Sequence, residues 1–170
     1  MSKINGIYAA SISILDENLK LDIHKTIRHA ENLIKSGCHG VVIFGSTGQS
    51  QLISLEEKFE LIQNISESLF KDKFIIGTGL NSLQDTISLI KISNSYNFNN
   101  FLIMPPAYYM YEDKDVIRFY IKLIEKLSNC KIILYNFEKL SGYKFSKESV
   151  EKLVSLFPEN IIGVKDSSYN

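Results

Sequence analysis

Ile161–Ser168 reads IIGVKDSS. Apolar or small residues at 161–164 run straight into Lys165, so a charge stands at the carboxyl end of what reads as a buried parallel strand, where a desolvated ammonium is expensive. Such a lysine has two physical solutions. A neutral amine at the mouth of a parallel sheet or barrel adds to a carbonyl carbon and forms a Schiff base; otherwise the side chain snorkels past the strand end into water. The preceding residues decide between them.

Upstream, a short apolar run followed by a helical periodicity recurs. The strand runs are Gly6–Ile14 (GIYAASISI), Gly40–Phe44 (GVVIF), Phe74–Thr78 (FIIGT), Phe101–Met104 (FLIM) and Lys131–Asn136 (KIILYN), with Ile161–Lys165 as the sixth. Helical spacing is predicted from Asp22 to Gly37, with Ile23, Ile27, Ala30 and Ile34 in phase. A Ser54–Glu57 capping box opens the next helix, with Leu55, Phe59, Ile62, Ile65 and Leu69 on one face. Further helices are predicted from Ser82 to about Tyr96, from about Asp113 to Ser128, and over Lys147–Phe157. The strands start about 30 residues apart, the length of one strand plus one crossover helix. Strict alternation with continuously apolar strands predicts a parallel sheet, either doubly wound or closed as a barrel. The chain ends five residues beyond Lys165, with no sixth helix to cover the sixth strand. The expectation is an α/β fold, a (βα)8 TIM barrel of which residues 1–170 supply, as one partial domain, about the first six strands and five helices.

Nineteen basic residues balance nineteen acidic ones, which removes the electrostatic footprint of a nucleic-acid or acidic-membrane partner. The only arginines, Arg28 and Arg118, fall within helical patterns, so no arginine clamp for a carboxylate is evident. Cys38 and Cys130 lack CxxC spacing and read as reduced thiols. His24, His29 and His39 show no metal-ligand pattern. No stretch approaches the ~18 apolar residues of a membrane span, and the N-terminus lacks a signal-peptide pattern. A soluble, cytoplasmic protein with no nucleic-acid and no membrane partner is expected.

Function in parallel α/β folds gathers at the carboxyl ends of the strands. There stand Ser46 and Thr47 between Gly45 and Gly48, then Tyr108 and Tyr109, Tyr135, and Lys165. A Schiff-base enzyme acting on a 2-keto acid needs an amine, donors for the carboxylate, and a phenol or similar group to move protons. Glycines around Ser46 and Thr47 let backbone N–H groups converge on a small anion beside two hydroxyls. The same loop also reads as an ordinary βα turn, Tyr135 as a packed aromatic, and Tyr108-Tyr109 as a subunit-contact patch.

With these residues in view, the chain resembles the dihydrodipicolinate synthase and N-acetylneuraminate lyase family, pyruvate-dependent class I aldolases on a (βα)8 barrel. Gly45-Ser46-Thr47-Gly48 is similar to its G-[ST]-T-G-E loop, Pro106-Ala107-Tyr108-Tyr109 to its paired-tyrosine loop, Tyr135-Asn136 to its Y-N-x-P strand end, and Gly163-Val164-Lys165-Asp166 to its G-[IV]-K-[DE] strand. The resemblance implies that Lys165 forms the imine with pyruvate and that Tyr135 is the proton-transfer phenol. It also implies that Ser46 and Thr47, with Gly48, hold the pyruvate carboxylate. It implies a homo-oligomer, dimer or tetramer, in which Tyr109 reaches the neighbouring subunit's site. No metal or organic cofactor is required, because the amine of Lys165 acts as the electron sink; the partners are a small-molecule 2-keto acid and an aldehyde.

Four departures stand out. Gln49 replaces the loop's usual Glu, Ile14 falls where the first strand ends in Thr-Pro-Phe, Glu138 takes the place of Pro, and Leu140 stands where the synthases carry an arginine. Losing that arginine removes a bidentate carboxylate contact. Leu140-Ser141-Gly142 looks more like the neuraminate lyase and 2-keto-3-deoxy sugar-acid aldolase branches, so a lyase of that type is expected. The alternatives are 4-hydroxy-tetrahydrodipicolinate synthase of lysine biosynthesis, a non-catalytic truncated or degenerate copy, and a doubly wound domain that binds phosphate at Gly45–Gly48.

Overall fold

The structure, a computed structural model, describes residues 4–127 and 129–168. Six parallel strands, β1 (Tyr8–Ala10), β2 (Gly40–Ile43), β3 (Phe74–Gly77), β4 (Asn100–Ile103), β5 (Lys131–Asn136) and β6 (Ile161–Asp166), lie side by side in chain order. Between them run α1 (Ile23–Lys35), α2 (Leu55–Ile65), α3 (Leu83–Ser95), α4 (Asp113–Ile124), the four-residue α5 (Glu138–Ser141) and α6 (Lys147–Leu156). A doubly wound sheet reverses its strand order at a switch point, whereas the order β1-β2-β3-β4-β5-β6 is that of a barrel wall. The doubly wound alternative is therefore wrong, and the chain builds six units of a TIM barrel.

The helices begin where their caps dictate. Asp22 accepts from the Lys25 N–H, Ser82 from that of Asp85 and Ser146 from that of Ser149, while Ser54 and Glu57 complete the reciprocal capping box. β2 and β3 are buried along their whole length, as strands covered on both faces must be. One face packs Val41, Ile43, Ile76, Phe101, Ile103 and Leu134 against the helices; the other gathers Val42, Ile75, Leu102, Met104 and Tyr135 inside the arc. That inner cluster floors the carboxyl ends of the strands.

Some boundaries differ from the periodicity. β1 stops at Ala10 because the following residues turn away to other partners: the Ser13 hydroxyl donates to the Gly48 carbonyl (2.6 Å) and the Ile14 N–H to Thr26 Oγ1 (3.0 Å). α2 ends at Ile65, leaving Leu69 98% exposed, and its buried side chains are Lys58, Leu61, Ile62 and Ile65. α4 ends at Ile124; the expected end at Ser128 lies outside the described residues. Glu138 sits in the first turn of α5, where a carboxylate faces the positive end of the helix and where proline is also favoured, so losing the proline leaves the turn intact. Gly142 closes α5 in the left-handed region, with φ of 73°.

Candidate active site

An irregularity between β5 and β6 aligns the two candidate residues at their carboxyl ends. Ile132 pairs with Ile161 but Ile133 with Gly163, so Ile162 is extra, and from there Tyr135 lies opposite Lys165 and Asn136 opposite Asp166. Without the bulge Tyr135 would face Val164, and Lys165 would point to the other side, since one residue of slip exchanges the faces of a strand. The bulge thus turns Lys165 to the inner face that Tyr135 occupies.

Lys165 is partly buried. Its Nζ lies 3.7 Å from the centroid of the Tyr135 ring and donates to Ser167 Oγ at 3.0 Å. Tyr135 is 4% exposed, and its hydroxyl shares a 2.8 Å hydrogen bond with Ser46 Oγ, 89 residues away in sequence. The strand ends around this pair are pinned. Asn136 donates to Asp166 (3.2 Å) and accepts from the Phe145 N–H (3.1 Å), while Asp166 also accepts from the Ser168 N–H (2.7 Å). That last bond leads the interactions holding the Asp166 carboxyl below its usual range.

Ser46 owes its place to a tight turn at the end of β2. Phe44 has φ of 54° and Gln49 of 49°, uncommon for residues with side chains. A Cβ on Gly48 would lie 2.9 Å from the Ser11 carbonyl oxygen, so only glycine lets the loop pack against the segment after β1. Thr47 is exposed. A cleft of about 240 Å³ opens here, walled by Phe44, Ser46, Leu102, Met104, Tyr135 and Leu140 among others, and among the described residues no lysine or arginine lines it. Lys165 flanks it across the Tyr135 ring.

Of the residues singled out in the sequence, Ser46, Tyr135 and Lys165 come together, with Thr47 and Gly48 on the adjoining loop. Tyr109 does not join them. It stands on an exposed loop, 66% accessible, edge-on to Tyr108 at 5.1 Å. The sequence reading missed Ser167, although a hydroxyl two residues after a strand-end lysine points to the same side. It also missed Lys58, which helical periodicity places in a core position but whose charge argues for the surface. Among the described residues, no group of three or more His, Cys, Asp or Glu side chains is placed to hold a metal ion, and no helix is long and apolar enough to cross a membrane. His39 instead accepts the Ile7 N–H at 3.0 Å.

Comparison with known proteins gives a consistent result. A 4-hydroxy-tetrahydrodipicolinate synthase from Karelsulcia muelleri is 28% identical over 173 aligned residues, covering all of this chain and 57% of its own length. One from Listeria monocytogenes is 32% identical over 91% of this chain and 52% of its own length. The chain therefore spans about half the length of the curated relatives it matches. The crystal structure of dihydrodipicolinate synthase from Agrobacterium tumefaciens superposes with a TM-score of 0.91 at 25% identity, over 97% of this chain and 59% of that one. The model of the dihydrodipicolinate synthetase family matches residues 3–170, and with the barrel-type strand order and full-length alignment this establishes that the chain belongs to the dihydrodipicolinate synthetase family.

Proposed function

We propose that this chain carries the imine-forming lysine of a pyruvate-dependent carbon–carbon lyase. The observation that carries the reading is the continuous line of Lys165 Nζ, the Tyr135 ring and hydroxyl, and Ser46 Oγ at one end of the barrel wall. The Lys165 nitrogen adds to the ketone carbon of the 2-keto acid, and a proton passes through the Tyr135 hydroxyl to the carbinol oxygen, which leaves as water. The resulting imine draws electrons from the adjacent carbon, which loses a proton and adds as an enamine to the aldehyde; the cleavage direction runs these steps in reverse. Ser46, Thr47 and the backbone to Gly48 receive the carboxylate. Ser167 holds the free amine on the inner face. No cofactor takes part in these steps.

The curated relatives named above support 4-hydroxy-tetrahydrodipicolinate synthase as the finer identity, over the neuraminate or sugar-acid lyase expected from Leu140-Ser141-Gly142. One observation favours the second reading. Leu140 lines the cleft, 47% exposed, where among the described residues no cationic side chain stands to meet an acceptor's carboxylate, while Arg28 and Arg118 are exposed on α1 and α4. The exposed run Tyr108, Tyr109 and Met110, at 89%, 66% and 90%, supports assembly as a dimer or tetramer in which Tyr109 completes a neighbour's site.

The test is pyruvate consumption with two acceptors, one aldehyde bearing a carboxylate and one a neutral hydroxyaldehyde. Turnover that disappears in Lys165→Ala supports the lyase, and the faster acceptor selects the finer identity. Turnover that survives Lys165→Ala contradicts the mechanism. A folded chain inert toward both acceptors is the non-catalytic copy.

A further inference from the structure

Among the described residues Lys58 is the fully buried cation, at 0% exposure on the core face of α2, and it plays no part in the chemistry above. A buried ammonium needs compensation. Lys58 finds it at the back of the cleft. Its Nζ donates to the Thr78 carbonyl at 3.2 Å and lies 5.7 Å from the centroid of the Phe44 ring. Asp85 on α3 is the carboxylate whose field acts on it.

Both contacts bear on the Ser46 turn. Phe44 is the residue whose positive φ starts that turn, and such a conformation persists only where its surroundings over-determine it. Its carbonyl packs where a Cβ on Gly77 would be 2.3 Å away. Thr78 closes the other side: its carbonyl accepts a second bond, from Ser50 Oγ at 3.1 Å, and Ser50 is where the turn ends. Gly79 has no side chain to interfere, for a Cβ there would lie 2.2 Å from Ser50 Oγ. One carbonyl at the end of β3 thus receives both the lysine that faces the start of the turn and the serine at its finish.

We propose that Lys58 is a positioning residue: with Ser50 it clamps the Phe44–Ser50 turn onto the Thr78 carbonyl, and so fixes the backbone that receives the carboxylate of the 2-keto acid. The role of the turn rests on the imine reading given above; the clamp itself does not. Loss of a hydrogen bond from a charged donor corresponds to about a tenfold change in a local equilibrium.

The test compares the wild-type chain with Lys58→Met and Ser50→Ala by hydrogen exchange of the 44–50 peptide, and by the pyruvate concentration that half-saturates borohydride trapping at Lys165. In Lys58→Met, exchange across 44–50 is expected to rise about tenfold while β4 and β5 stay protected. Half-saturation is expected to rise similarly with maximal labelling unchanged, a split that general destabilisation does not produce. Ser50→Ala is expected to move both in the same direction by a few-fold, and it decides the matter if Lys58→Met does not fold. Unchanged exchange at 44–50, or faster exchange with unaltered half-saturation, overturns the proposal. Absence of label in the folded wild type contradicts the imine reading instead, and the exchange measurement then decides the clamp by itself.

Discussion

At the scale of single residues, the proposed site rests on a phenol and two lysines in different surroundings. Tyr135 bridges Ser46 and Lys165, so Tyr135→Phe keeps the ring under the amine and removes only the hydroxyl. Imine formation with pyruvate is expected to slow by about 100-fold, a typical loss for one general acid–base group, with the fold unaltered by circular dichroism. Lys58 titrates differently. Desolvation lowers its pKa from 10.5 to about 8, against the opposing field of Asp85. Between those values the unfolded chain keeps a proton that the folded chain has released, so stability rises with pH. Burial pushes the Cys130 thiol from 9.0 up to about 12, which acts with the opposite sign as the unfolded thiol ionises around pH 9 and offsets part of that gain. Denaturant unfolding is therefore expected to show the wild type gaining about 1 kcal/mol relative to Lys58→Met from pH 8 to pH 9. Parallel profiles in the two chains would contradict the buried, titrating lysine.

Single elements show what the sequence makes legible. Ser54 and Glu57 announce α2, and the box is present, with the Glu57 carboxylate also accepting the Leu21 N–H at 2.8 Å. Ser54→Ala is expected to cost about 1 kcal/mol in urea unfolding; no loss would mean that Leu21 alone positions Glu57. The apolar periodicity finds most of the core face of α2: Ile62 and Ile65 are buried and Leu55 and Phe59 pack against the core, while Leu69 lies beyond the helix and is exposed. A periodicity that seeks only apolar residues passes over Lys58, which completes that face. The bulge at Ile162 was likewise invisible, because apolar residues at 161, 162 and 164 satisfy either register. Yet that register decides whether Lys165 meets Tyr135. The strand-end motif points to Lys165, while only the three-dimensional pairing accounts for its direction.

For the molecule as a whole, the repeat of about 30 residues made the barrel units readable, and the sequential strand order removed the doubly wound alternative. What length and composition left open is where function concentrates: the order of the strands brings Ser46 beside Tyr135 across 89 residues. The exposed Tyr108–Met110 run belongs to this scale too, since aromatic and thioether side chains grouped at 66–90% exposure are the observation on which the proposed assembly rests. The central claim is that these strand ends assemble a nucleophilic amine at Lys165. The most direct measurement is reduction with borohydride in the presence of pyruvate, on chain shown to be folded, followed by peptide mass mapping. Label confined to the peptide containing Lys165, and lost in Lys165→Ala, is the expected result. A folded chain that takes up no label, or takes it on a different lysine, would contradict the assignment.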